Sequence, residues 1–372
     1  RLIVDHGVDQ VDFAYSDVSY VYLMQQSARA LAAGADFHLV CPRHTQLESN
    51  KPVVSVCAVR TGCGKSQTAR ALCEQLIAEG KRVVAIRHPM PYGDLVRQRV
   101  QRFATAADMD HHACTVEERE EYEQYTSRGM IIYAGVDYAA ILREAEKEAD
   151  VILWDGGNND TPFLRPDLEI TVLDPLRAGH ERLYYPGEVN FLRSQVLVVN
   201  KVDRATPAEL EQIRASIAAH NPKAEVIEAR SELDLDNPAA VTGKRVLVVE
   251  DGPTLTHGEM NIGAGFVAAE RAGAAEIVDP RPYATGVIAE TFTNYGHLGP
   301  VLPALGYFEE QLRDLETTIR QTPCDTVLLA TPMSLSNLIR IDKPTVTVGY
   351  RLDDESQKRL ASLTKAVLAQ RA

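Results

Sequence analysis

An α/β fold built on a mostly parallel sheet is predicted by three features of this sequence. Short apolar runs alternate with stretches of helical periodicity across residues 52–242. One run, Val53–Val59, leads straight into the turn Arg60-Thr61-Gly62-Cys63-Gly64-Lys65-Ser66 and then into a helix. Another, Val151–Trp154, ends in Asp155-Gly156-Gly157. Alternation of this kind implies helical crossovers between parallel strands.

The elements follow in order. Residues 1–50 read as the end of an N-terminal Rossmann-like unit: a strand at Val11–Tyr15, a helix near Val21–Ala33, a strand at Phe37–Val40, then a polar, proline-marked linker. The chain opens on Arg1-Leu2-Ile3 inside what reads as an element, so the full polypeptide is expected to start earlier. Residues 51–242 hold strand candidates Val53–Val59, Val83–Ile86, Ile131–Tyr133, Val151–Trp154, Ile170–Leu173, Val196–Val199 and Val226-Ile227. Behind the glycine turn, Ala69, Leu72, Cys73, Leu76 and Ile77 recur at helical spacing. Thr206-Pro207-Ala208-Glu209 is a capping box with proline at the first helical position. Residues 243–372 open on the run Lys244–Glu250 and pass a glycine-rich stretch to Gly265. A helix through Arg271 and a strand at Ala275–Val278 follow, giving a C-terminal α/β domain.

Composition narrows the function classes. At 372 residues the chain is long enough for two or three domains. A net charge of −13 argues against a general nucleic-acid or membrane binder. No run approaches the roughly 20 apolar residues of a membrane helix, and no signal-peptide pattern opens the chain. The six cysteines are scattered without a CxxC, which reads as reduced thiols in a cytoplasmic protein.

The glycine turn carries the strongest chemical signal. A strand, a turn and a helix N-terminus together aim backbone N–H groups at phosphate oxygens. In this P-loop, Thr61, Gly62, Cys63, Gly64, Lys65, Ser66 and Gln67 are the expected nucleotide contacts. Lys65 is expected to reach the β- and γ-phosphates and Ser66 to ligate Mg²⁺. Val59 stands where the usual pattern has glycine, and Arg60 supplies an additional cation, a variant similar to dethiobiotin synthetase and the metal-chaperone GTPases. Asp155, at a strand end, is a candidate Mg²⁺ ligand, and Asn158, Asn159 and Asp160 extend its polar loop toward substrate. Asn200-Lys201-Val202-Asp203 follows a strand and matches the NKxD guanine-reading motif, with Asp203 accepting from the base.

Charge is unevenly spread. Lys81–Arg102 holds six bases against one acid, Asp94, and is a candidate anion site. Arg87, His88, Arg97, Arg99 and Arg102 are candidate phosphate clamps and Asp94 a second Mg²⁺ ligand. Arg177 and His180 form a second basic group after another strand. Asp108–Glu123 holds seven acids against Arg119 and reads as a solvated face, with His111-His112 at the surface. In the last segment Thr256, His257 and Arg281 are candidate ligand contacts.

With these stretches in hand, the chain resembles the cyclic 2,3-diphosphoglycerate synthetase family. The stretches are AVRTGCGKSQTAR (58–70), RHPMPYGDLVRQRVQRFAT (87–105), WDGGNND (154–160), DPLRAGHE (174–181), YYPGEVN (184–190), NKVD (200–203) and VLVVEDGPTLTHGEM (246–260). The resemblance implies a P-loop NTPase domain flanked by smaller Rossmann-like units, including a further N-terminal portion. It implies an ATP-dependent ligase or kinase that transfers the γ-phosphoryl group of Mg-ATP to 2,3-diphosphoglycerate and closes a phosphoanhydride, releasing ADP and phosphate. Lys65, Arg60 and Asp155 would then be catalytic, and Arg87, His88, Arg97, Arg177, His180, Asn158 and His257 would hold a small phosphorylated acid. A homodimer is expected. Two alternatives stand beside it: a metal-chaperone or regulatory GTPase that binds GTP through NKVD, and a nucleotide-binding module without turnover.

Overall fold

The structure is a computed structural model that describes residues 1–90, 93–157, 160–305, 309–331, 335 and 338–371. It divides into two compact units: residues 1–102, 130–231 and 352–372, and residues 103–129 and 232–351. The three consecutive domains expected from the sequence are therefore replaced by two units that exchange chain segments. The C-terminal stretch belongs with the first unit because helix Asp354–Leu368 buries Leu360 and Thr364 there, packed on the helix that follows the glycine turn.

The first unit is built on an eight-stranded sheet: β1 Val53–Ala58, β2 Val83–Ile86, β3 Gln101–Phe103, β4 Ile131–Ala134, β5 Val151–Trp154, β6 Leu168–Leu173, β7 Val196–Val199 and β8 Glu225–Glu228. Across the sheet the order is β8-β7-β6-β1-β5-β2-β4-β3. The pairings of β1 with β5 and β6, of β2 with β4 and β5, and of β7 with β6 and β8 are all parallel. Every residue of β1, β2, β5, β6 and β7 is buried, as expected of strands covered on both faces. That is why they read as largely apolar runs, broken only by Ser55 in β1 and by Glu169 and Thr171 in β6. Strand β3 escaped that reading because it is a three-residue edge strand with Arg102 exposed in its middle.

Strand β1 lies at the centre, and the chain leaves it to one side for β2 and later returns on the other for β6. Ligands in open α/β sheets bind outside the carboxyl ends of strands at such a change of direction. Helix α1, Lys65–Ala78, starts there and buries Ala69, Leu72, Cys73 and Leu76. The second unit holds strands β9 Ser231–Leu235, β10 Arg245–Asp251, β11 Glu276–Ile277, β12 Leu302–Ala304, β13 Thr326–Ala330 and β14 Thr345–Leu352. Their order is β9-β14-β13-β10-β11, with β12 also pairing β10 in parallel. No helix among the described residues is long and apolar enough to cross a membrane.

Candidate functional site

The turn after β1 is held from outside by three donors. Arg177 Nη1 donates to the Thr61 carbonyl at 2.8 Å, Lys201 Nζ to the Gly62 carbonyl at 2.7 Å, and Asn200 Nδ2 to the Cys63 carbonyl at 2.9 Å. In a trans peptide the C=O and the following N–H point in opposite directions. Fixing the carbonyls outward therefore turns the N–H groups of Gly62 and Gly64 toward the inside of the loop, while the Cys63 N–H closes the turn on the Arg60 carbonyl at 3.3 Å. Asp174, fully buried, accepts from both Arg177 (2.9 Å) and Lys201 (2.8 Å). Burial acts to raise the Asp174 carboxyl, but Lys201 and Arg177 outweigh it and hold the group below the ordinary range. Gly64 sits at φ 106°, where a Cβ would lie 2.2 Å from Asn200 Nδ2. Only glycine fits there.

These contacts revise several assignments. Asn200 and Lys201 grip the phosphate loop itself, while Asp203 stands exposed in the turn beyond it. Arg177 braces the loop carbonyls, which occupies the guanidinium expected on an acceptor. Val59, where glycine was expected, is still strand-like: its N–H donates to Val172 O at 3.1 Å and its side chain is buried. The close approach comes instead from Gly187, where a Cβ would lie 2.6 Å from the Val59 carbonyl.

Arg60 is only 2% exposed. Its Nε lies 3.0 Å from Asp17 Oδ1, its Nη1 3.3 Å from His180 Nδ1, and its guanidinium 3.6 Å from the centre of the Tyr184 ring. Asp17 also accepts from Thr61 Oγ1 at 3.0 Å. Arg60 thus ties the N-terminal segment to the phosphate loop. His180 serves the same enclosure.

At the facing strand ends, Asp155 is fully buried and pairs with two cations. One is Lys65; the other is Arg87, whose Nη1 lies 3.3 Å from Oδ2. Ser66 and Gln67 follow Lys65 in the first turn of α1, and Gln67 accepts from Ser231 Oγ at 3.1 Å. His88, next to Arg87, pairs with Asp160 at 3.0 Å. A Mg²⁺ ion usually takes one or two carboxylates, substrate phosphate oxygens and water. Asp155 and Ser66 supply the protein part of that donor set, so the residues fit the ion. Among the described residues no three His, Cys, Asp or Glu side chains gather to hold a metal without such help.

The rest of the basic stretch is not a clamp. Arg82 pairs with Asp150, Arg99 with Asp137 at 3.0 Å, and Arg102 with Glu148 at 2.9 Å. Arg97 is largely exposed and faces Asp94 at 4.0 Å, and Asp94 caps that turn through the Val96 N–H. Arg82, Arg99 and Arg102 each meet a carboxylate remote in sequence, which the local charge count did not include, and Arg97 faces the one acid that it did. Neither Arg97 as a clamp nor Asp94 as a Mg²⁺ ligand is supported by these partners. Asn158 and Asn159 lie outside the described residues. His257, Thr256 and Arg281 belong to the second unit, where Arg281 pairs with Asp279 at 2.8 Å. Two residues that motif reading underrated are Asp17 and Asp174. Asp17 lies in no quoted motif and Asp174 only opens the stretch DPLRAGHE; their contacts reveal what they do.

No family model matches the sequence. The chain is similar over 94% of its length to LpxK from Aquifex aeolicus, a structure in complex with ATP, with a TM-score of 0.52 and 13% identity over 97% of that chain. That likeness shows the α/β fold with its mostly parallel sheet. The chain is also 57% identical over 360 residues to the arginine synthetase ArcE of Thermococcus kodakarensis, spanning 97% of this chain and 80% of that protein. The function carried by this relative is neither the cyclisation of 2,3-diphosphoglycerate nor the GTPase alternative, and it corrects both expectations. The motifs AVRTGCGKSQTAR and WDGGNND leave the acceptor open. At this identity over nearly the whole chain, the protein belongs to the family of arginine synthetase ArcE.

Proposed function

We propose that the protein is an ATP- and Mg²⁺-dependent synthetase that forms arginine. The observation that carries this reading is the 57% identity, across 97% of the chain, with a protein of that name. The phosphate loop is the supporting chemistry. ATP-driven formation of a guanidinium group joins a nitrogen to a ureido carbon with net loss of water, and the ureido oxygen must first become a good leaving group. Transfer of the γ-phosphoryl group to that oxygen achieves this, and the C–N bond then forms as phosphate departs.

In this reading the inward N–H groups of Gly62 and Gly64 and the Lys65 ammonium hold the β- and γ-phosphates. Asp155 holds Lys65 and Arg87 in place and, with Ser66, would supply the protein ligands of the ion. Bound there, Mg²⁺ would neutralise phosphate charge and orient the transferred group. Arg87, at the edge of the phosphate site, faces the developing charge on the transferred group. Much of the work is positioning and charge neutralisation.

The test is direct. The protein is incubated with ATP, Mg²⁺, ammonium and the ureido analogue of arginine, in which C=O replaces C=NH₂⁺. Arginine is read by mass spectrometry and phosphate by colour assay. Equal yields of arginine and phosphate, dependent on all four components, are expected. Nucleotide turnover without arginine would overturn the proposal.

A further inference from the structure

The pair His88–Asp160 stands at the same strand ends as Lys65 and Asp155, yet it holds no part of the phosphate loop. His88 follows Arg87 at the end of β2, and its Nδ1 lies 3.0 Å from Asp160 Oδ2. Its ring occupies the space over Gly157, two residues beyond Asp155; a Cβ at 157 would come within 1.6 Å of the ring. Asp160 is fixed from several directions. Asn190 Nδ2 donates to its backbone carbonyl at 3.2 Å, the Cys57 thiol points at the same carbonyl at 3.6 Å, and Ser16 hydrogen-bonds its carboxylate.

Burial acts to raise the Asp160 carboxyl, but the hydrogen bond and charge of His88, the Ser16 hydrogen bond and the charge of Lys65 outweigh it and hold the group below the ordinary carboxylate range. An ionised carboxylate only accepts, so Nδ1 of a neutral His88 carries the hydrogen and Nε2 keeps its lone pair. The side chains of His88 and Asp160 are 28% and 18% exposed, enough to meet a ligand while remaining packed. A carboxylate fixing the tautomer of an imidazole at a reaction centre is the arrangement a general base requires.

We propose that His88, oriented by Asp160, is the base that removes a proton from the attacking nitrogen during guanidinium formation. This inference rests on the arginine-forming reading above. The nitrogen of ammonia attacks the carbon of the phosphorylated ureido group and a C–N bond forms. The C–O bond to phosphate breaks, its electron pair leaves on phosphate, and the surplus proton passes to His88 Nε2. Asp160 is then a positioning residue, stabilising the imidazolium that results. The charged and titratable groups around the pair are Lys65 from α1, Arg87 and Asp155 at the strand ends, Cys57 on β1 and Tyr138 from the helix before β5.

The test uses the full chain, with saturating Mg-ATP, ammonium and the ureido analogue of arginine, between about pH 6 and 9. His88→Gln is expected to lower kcat at least about 10²-fold, to remove the acid-side rise of the pH profile, and to leave ATP affinity within about twofold. Added imidazole should partly restore His88→Ala. Asp160→Asn, nearly unchanged in size, should lower kcat with little change in the KM for ATP, as a shifted tautomer would. A wild-type pH profile in His88→Gln, or a loss explained entirely by weaker ATP binding, would overturn the assignment. If the unmodified protein forms no arginine, the functional reading fails and the base with it. If it forms arginine and His88→Gln does so equally well, only the base fails.

Discussion

Lys65 and Arg87 converge on one buried carboxylate, so Asp155 organises both cations before any nucleotide arrives. Replacing Lys65 by alanine removes the cation meant for the β- and γ-phosphates. Phosphate release should fall by about 10²- to 10³-fold, the range seen when one preorganised charge-stabilising donor is lost. Steady-state turnover in Lys65→Ala checks this, and full activity would remove the phosphate loop from the reaction. Gly157 offers a second test at the same scale. A methyl there would meet the His88 ring at 1.6 Å, so Gly157→Ala must displace His88 from Asp160. Synthesis should drop at least as far as in His88→Gln while the overall fold, followed by circular dichroism, is retained.

Two elements behave as units. The loop from Thr61 to Cys63 takes its shape from Arg177, Lys201 and Asn200, and Asp174 aligns the first two of these. Asp174→Asn keeps the shape and removes the charge, so the braces loosen together. The KM for ATP should rise about tenfold, equivalent to ~1.4 kcal/mol, with a smaller change in kcat. A larger effect on kcat than on KM would mean that Asp174 acts on the chemistry directly.

In the second unit, the end of β10 meets the helix Ala264–Arg271. Glu250 Oε1 accepts the N–H groups of Gly263 (3.2 Å) and Phe266 (2.8 Å). Burial pushes the Glu250 carboxyl up to about 7, although those backbone donors oppose the shift. Between its ordinary value of 4.5 and about 7, the unfolded chain has lost the proton while the folded chain keeps it. Stability contributed at this position therefore falls as pH rises through that window. Glu250→Gln can still accept both N–H groups and should flatten the dependence, with an advantage over the parent of roughly 3 kcal/mol at most above pH 7. Denaturant unfolding at several pH values reads this out, and parallel curves for the two proteins would contradict it.

At the scale of the whole molecule, the chain's end belongs to the nucleotide-holding unit. Leu360 is 1% exposed in the helix Asp354–Leu368, which packs on α1. Leu360→Ala should cost about 2–5 kcal/mol, as for other buried leucines, and should lower the unfolding midpoint of the unit that carries the phosphate loop. Bound ATP should recover part of that loss, since a ligand of the folded state stabilises it by mass action.

Much was legible in the sequence alone. Strands β1, β2, β5, β6 and β7 were visible because both of their faces are buried, so each is a mostly apolar run. The phosphate loop was visible because its chemistry demands a fixed local order of strand, glycine turn, lysine and hydroxyl. The capping box Thr206–Glu209 was visible for the same local reason and starts the helix Pro207–His220 as expected. Tertiary structure alone decided which charges were available. Arg97, Arg99 and Arg102 look like an anion site in a row, yet the latter two meet Asp137 and Glu148, about 40 residues away. Arg60 looks free to reach a phosphate, yet it is enclosed by Asp17, His180 and Tyr184. Backbone patterns are written in neighbouring residues, whereas the partner of a charge is set by whichever carboxylate the fold brings within a few ångströms.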